Sequence, residues 1–186
     1  LARIPAGIAA ISAYQQPFDT RLTPPLGIHP ATTTGLPAVT SGATAFGDVN
    51  NDGKLDLIIT GKDAAGTPIT QLWMNQGNDV FQQAPLPASV VGLANGSVAW
   101  GDYDNDGYID LVITGFDAAG APHTYLLRNQ GASNPGVFDD VTQMAMPGVQ
   151  GVGYSSVTWG MINSDGLRDI LLSGQTAAGT PVTQLW

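Results

Sequence analysis

The sequence contains no cysteine, so disulfides and thiolate metal sites are excluded. Charge is also scarce. Asp, Glu, Lys and Arg make up 11% of the 186 residues, and Lys plus Arg number six, none of them clustered. A surface so poor in cations offers no footprint for a phosphate backbone, and nucleic acid is not an expected partner. No apolar run exceeds a few residues, so membrane insertion by a helix is not expected either. The two histidines are His29 and His123, and no Ser/His/Asp arrangement, nucleophile elbow or phosphate loop accompanies them. The expectation is a protein that is not an enzyme. No segment sustains a 3.6-residue apolar period, which argues against helices.

Glycine and proline are plentiful, at 24 and 13 residues, within a chain that is 43% hydrophobic. That mixture suits many short strands joined by tight turns. The strongest signal is internal repetition. Segments beginning ATAFGDVNNDGKLDLIITG at Ala43, SVAWGDYDNDGYIDLVITG at Ser97 and SVTWGMINSDGLRDILLSG at Ser156 align residue for residue. Their loops begin at Asp48, Asp102 and Met161, steps of 54 and then 59 residues. Such a period holds one unit of about four strands, the size of a propeller blade. Each unit reads as a strand ending in an aromatic-Gly step (Phe46-Gly47, Trp100-Gly101, Trp159-Gly160), an acidic loop, and then a β-branched second strand. A Gly-rich turn, a third strand (Ile69 to Asn75, His123 to Asn129) and a fourth strand near Phe81 or Phe138 complete it.

The loops carry the chemistry. Oxygen side chains stand at Asp48, Asn50, Asp52 and Asp56 in the first loop, and at Asp102, Asp104, Asp106 and Asp110 in the second. Acids alternating at positions 1, 3 and 5 of a tight loop converge on one point, and Gly53 or Gly107 at position 6 permits the turn. Lys54 and Tyr108 at position 7 are expected to contribute backbone carbonyls. A hard, all-oxygen set of this kind selects Ca2+. An EF-hand would need a Glu at position 12, where Ile59 and Ile113 stand instead. The bland alternative, a polar hairpin turn, accounts for one Asp-Asn-Asp-Gly but not for two in register. The third loop departs from the pattern: Met161 replaces the first ligand, leaving Asn163, Asp165 and Asp169 with Arg168 beside them. This loop is expected to bind no metal.

With its aromatic-Gly step, acidic loop and Gly120-Ala121-Pro122, the pattern resembles the FG-GAP repeats of integrin α-subunit propellers and the VCBS-type repeats of bacterial surface proteins. The resemblance covers roughly residues 41 to 186. It implies an all-β fold of propeller blades, each of about four antiparallel strands, with calcium-binding loops between the first and second strands. It also implies adhesion or surface assembly outside the cell. Three blades are visible, and the ring would be completed by further sequence or by other subunits.

The expected organisation has four parts. Residues 1–40 form a Pro/Thr-rich segment whose Pro17-Phe18-Asp19 resembles a fourth-strand start, an outer strand for another blade. Residues 41–92 and 93–149 are blades with intact calcium loops, and 150–186 is an incomplete blade with a degenerate loop. The start at Leu1 rather than Met fits a processed or trimmed product. Residues Pro181 to Trp186 match Pro68 to Trp73, so the last segment stops within a third strand. Strand complementation between copies, building an oligomer or filament, is the first functional expectation. Other surface proteins are alternative partners. A glycan-binding lectin is a second reading, and the non-catalytic propeller of a larger surface protein or enzyme a third. The recurrence of Trp73 with Trp186, and of Trp100 with Trp159, points to packing roles rather than sugar stacking.

Overall fold

The structure, a computed structural model, describes residues 35–186. The outer strand expected around Pro17-Phe18-Asp19, and His29, lie outside the described residues. Three antiparallel sheets follow one another along the chain. The first contains β1 (Thr40–Gly47), β2 (Asp56–Lys62), β3 (Pro68–Gly77) and β4 (Val80–Ala84). The second contains β5 (Val98–Gly101), β6 (Asp110–Phe116), β7 (Pro122–Asn129) and β8 (Phe138–Asp140). The third has β9 (Gly153–Gly160), β10 (Asp169–Gln175) and β11 (Pro181–Leu185). Strands pair with their sequence neighbours in every sheet, so each sheet is a meander. The aromatic-Gly steps end β1, β5 and β9, and the acidic loops fill the gaps before β2, β6 and β10.

One difference concerns the second strands. A strand with one buried face would alternate, yet every residue of Asp56 to Gly61 and of Asp110 to Gly115 is buried. For β6 the reason is packing on both faces. Ile58 and Leu72 of the first sheet meet Leu111, Ile113, Leu127 and Phe138 of the second. On the other face of the second sheet, Val112 and Leu126 meet Val157, Ile170 and Leu172 of the third. Adjacent residues of β6 therefore point into different cores, and a continuous apolar run is what such a strand needs. Each fully buried aliphatic side chain contributes about 1.5–3 kcal/mol. A second difference is helical: one turn, α1 (Thr142–Ala145), follows β8, with Thr142 buried and its hydroxyl accepting the Leu126 N–H at 2.9 Å.

Neighbouring sheets are stapled along their first strands. The Trp100 indole N–H donates to the Ala45 carbonyl of β1 at 3.3 Å, and that of Trp159 donates to Ala99 of β5 at 3.1 Å. Glycine makes room for each ring. A Cβ on Gly101 would lie 2.4 Å from the Trp159 ring, and one on Gly47 3.0 Å from Trp100. The backbone adds a second tie, with Asn95 N–H donating to Ser41 O at 2.8 Å and Tyr154 N–H to Asn95 O at 2.5 Å. Ser41, Asn95 and Tyr154 hold the same repeat position, and all three have positive φ (53°, 53° and 43°). The first strands thus lie closest together.

Gly101→Ala should lower the urea midpoint of unfolding, by about 1–3 kcal/mol for an overpacked contact. Trp159→Phe keeps the ring and loses one hydrogen bond, so its cost should be about 1 kcal/mol. Equal, negligible effects of both would show that the first strands are not packed through this aromatic step.

Candidate metal centre

Each acidic loop is shaped by its own side chains. The first residue of the loop accepts two backbone donors. Asp48 takes Asp52 N–H at 3.0 Å on Oδ1 and Gly53 N–H at 2.8 Å on Oδ2, and Asp102 takes Asp106 and Gly107 N–H, both at 3.1 Å. The residue at position 5 then accepts from position 7: Asp52 from Lys54 N–H at 2.9 Å, Asp106 from Tyr108 N–H at 2.8 Å. Two left-handed residues close the turn. Asn51 and Asn105 have φ of 57° and 58°, a conformation Asn tolerates, and Gly53 and Gly107 have φ of 84° and 86°.

In the second loop this folding draws Asp102, Asp104 and Asp106 together, with one oxygen of each within 4.8 Å of the others. Carboxylates at that spacing repel by about 1–3 kcal/mol per pair for effective dielectric constants between 80 and 20. A divalent cation converts that repulsion into attraction, and the oxygen-only donor set fits a hard ion. Among the described residues, Arg128 has its Nε 3.7 Å from Asp104 Oδ2, beyond hydrogen-bond distance. The first loop holds Asp48, Asn50 and Asp52 in the equivalent places. There the Lys54 ammonium sits 2.7 Å from Asp52 Oδ2, and its hydrogen bond holds that carboxyl below the usual range. Lys54 thus occupies an oxygen that a bound ion would share.

The aspartates at position 9 have a role that sequence reasoning did not assign. Asp56 and Asp110 are fully buried at the start of β2 and β6. Asp56 accepts Val49 N–H at 3.0 Å and Asn75 N–H at 2.8 Å, and Asp110 accepts Tyr103 N–H at 2.6 Å and Asn129 N–H at 2.7 Å. Each carboxylate therefore clamps its loop to the end of the third strand. Burial pushes Asp110 up to about 6 against these hydrogen bonds, with Asp104 and Asp102 adding to the rise. Asp56 is raised for the same first cause. A carboxyl raised by folding destabilises the metal-free fold as pH rises from the ordinary carboxylate range through about 6. A cation beside it opposes that loss.

Four further residues were missed. Asn75 and Asn129 supply the N–H groups to the clamps, and Asn129 Nδ2 also donates to Val49 O of the preceding loop at 2.7 Å. The signal was present, since Asn-Gln-Gly recurs at 75–77 and 129–131. Asn105 and its counterpart Asn51 link successive loops. Asn51 Nδ2 donates to Gly107 O at 3.0 Å, and Asn105 Nδ2 donates to Gly166 O at 2.8 Å.

The third loop keeps the loop half of the clamp and loses the cage. Ile162 N–H donates to Asp169 at 2.5 Å and Gly166 retains φ of 83°. Met161 cannot accept the donors that Asp48 and Asp102 take, and Asp165 N–H turns to Asn163 Oδ1 at 2.9 Å instead. The structure brings Asn163 to Asp169, 3.4 Å apart, but gives no three-acid group there.

Elsewhere, His123 bonds Asp117 at 3.0 Å and Tyr125 at 3.2 Å, within a cleft between β7 and α1. The bond from His123 lowers the Asp117 carboxyl. Among the described residues no helix is long and apolar enough to cross a membrane.

Stacked antiparallel meanders joined by acidic, oxygen-rich loops define a class, the all-β repeat protein. A family model for the FG-GAP-like repeat matches residues 48–113, from Asp48 of the first loop to Ile113 of β6. Over that span the chain is similar to an FG-GAP-like repeat. Searches of curated proteins and of solved structures returned no match.

Asp110→Ala leaves the buried Asn129 N–H and the half-buried Tyr103 N–H without acceptors, at about 1–3 kcal/mol for a buried donor. Chemical denaturation in the presence of a chelator should show that loss. Wild-type stability in D110A would mean the carboxylate serves only a metal.

Proposed function

We propose that this chain is a calcium-stabilised β-propeller segment with a structural or adhesive role outside the cell, and that it performs no catalysis. The observation that carries the reading is the convergence of Asp102, Asp104 and Asp106 at the mouth of a repeated blade-like sheet. Asp48, Asn50, Asp52 and Asp56 would hold a first ion, and Asp102, Asp104, Asp106 and Asp110 a second. The carbonyls of Lys54 and Tyr108 would fill a further ligand position in each. The ion would neutralise the loop and brace the turn that Asp56 and Asp110 already tie to the sheet. Its work is therefore mechanical. Extracellular calcium is abundant enough to keep such sites filled, which favours a secreted or cell-surface location.

The propeller reading is supported by the order of the sheets. First strands approach one another through Trp100, Trp159 and the ladder of Ser41, Asn95 and Tyr154, while β4 and β8 lie at the opposite edges of their sheets. A ring of blades requires that arrangement, with inner strands at the axis and fourth strands at the rim.

Calcium titration followed by calorimetry and thermal unfolding tests the reading. Two ions should bind per chain. A site filled at 100 times its dissociation constant should add about 2.7 kcal/mol of stability, lost on chelation. Asp104→Ala should leave one ion, and Asp165→Asn should leave both. A melting temperature indifferent to calcium and chelator would refute the proposal.

A further inference from the structure

We propose that the two acidic loops fill in order: the second takes calcium first, and Lys54 acts inside the first as a tethered counter-ion that keeps it a weak site for higher calcium. The inference rests on the calcium reading and adds the regulation of that pair of sites.

The first loop is satisfied from within. Asp52 Oδ2 receives the Lys54 ammonium at 2.7 Å and Asn50 Nδ2 at 3.2 Å, while Oδ1 takes Lys54 N–H at 2.9 Å. Asn50 Oδ1 in turn accepts Asp52 N–H at 3.1 Å. The oxygens at positions 3 and 5, which an ion would need, are thus bonded to donors of the loop itself. The ammonium is also held in place. A Cβ on Gly77 would lie 3.8 Å from Lys54 Cε and 3.9 Å from Cδ, so the lysine stem runs across that glycine at the end of β3.

The second loop is built differently. Position 3 is Asp104 instead of asparagine, and position 7 is Tyr108 instead of lysine. The tyrosine ring takes the place of the lysine stem: a Cβ on Gly131, the counterpart of Gly77, would lie 3.6 Å from Tyr108 Cδ2. Asp106 Oδ2 faces the same glycine, 2.5 Å from that Cβ position. Among the described residues Asp106 makes no ion pair, and Arg128 stays 3.7 Å from Asp104. The three carboxylates of this loop therefore meet without a cation between them.

Charge sets the order. The first loop with its clamp carries three carboxylates and one ammonium, a net of −2. The second carries four carboxylates, −4, or −3 with Arg128 included. Oxygen cages bind calcium more tightly as the charge of their ligands rises. A unit charge about 4 Å from a divalent ion shifts its affinity by about tenfold or more, even at the dielectric constant of water. An ion entering the first loop must also displace an ammonium that cannot diffuse away, because a tethered group competes at a high effective concentration. At low calcium Lys54 does the electrostatic work of the ion, and the first loop keeps its shape where the second needs calcium to do so.

Calcium titration of the full chain, followed by the amide resonances of Gly53 and Gly107, reads the two loops separately. Gly107 should reach half-saturation at a calcium concentration at least tenfold below that of Gly53. Lys54→Met keeps the stem over Gly77 and removes the charge, and should bring the Gly53 midpoint down at least fivefold. Tyr108→Lys, the reciprocal change, should raise the Gly107 midpoint. The calcium-free protein gives a second readout: in chelator, amide exchange should be slower at Gly53 than at Gly107, and K54M should abolish that difference. Equal midpoints in the wild type, or Gly53 filling first, overturn the proposal and leave the calcium reading standing. A Gly53 midpoint that K54M does not move has the same consequence. Resonances that calcium moves at neither glycine overturn both.

Discussion

A carboxylate buried at the first residue of each second strand is the constraint on which the rest depends. Asp56, Asp110 and Asp169 each sit where a charged group is costly, and each spends an oxygen on the second residue of its own loop. In the two complete sheets the other oxygen takes the N–H of Asn75 or Asn129, so the loop, the second strand and the end of the third strand share one anchor. The loop can turn sharply only because that anchor holds its base. In the second loop three of its acids then converge, with one oxygen of each within 4.8 Å of the others. In the third loop, where Met161 replaces the first acid, the bond from the loop to the buried Asp169 remains, which separates that bond from any ion.

The same loops carry the contact between sheets. Asn51 and Asn105 reach forward to the glycine carbonyl of the next loop, and Asn129 reaches back to Val49 of the previous one. Together with the tryptophan staples, these bonds mean that an ion bound in one loop would stiffen a joint between two sheets. Binding energy at such a site is folding energy, because the unfolded chain offers no preformed cage. A repeat protein gains from this arrangement, since each unit contacts chiefly its neighbours and the joints set the stability of the whole.

Much of this was legible in the sequence. The aromatic-Gly steps, the loops with glycine at position 6, and the order of strands all follow from local rules, and local rules recur with the repeat. Strand ends moved by one or two residues, as in Pro68–Gly77 against an expected Ile69 to Asn75. What could not be read was which oxygen serves which partner. Asp56 and Asp110 look like ligands in a linear motif, and only the fold shows that two buried N–H groups also claim them. The tryptophans were read as packing residues, but the choice of Ala45 and Ala99 carbonyls as acceptors depends on how far one sheet turns over the next. That Leu171 of the third sheet is exposed was invisible for a similar reason. Its counterparts Ile58 and Val112 are buried by a neighbour, so the sequence pattern is the same in all three sheets.

The most direct measurement is amide hydrogen exchange on the calcium-free protein, resolved to single residues. The account predicts slow exchange at Tyr103 and Asn129, whose N–H groups are held by buried Asp110, alongside fast exchange at Asp106 and Gly107 that slows when calcium is added. Exchange at Tyr103 and Asn129 as fast as at Gly107 in the absence of calcium would contradict it, and would make the ion rather than the aspartate the anchor of the loop.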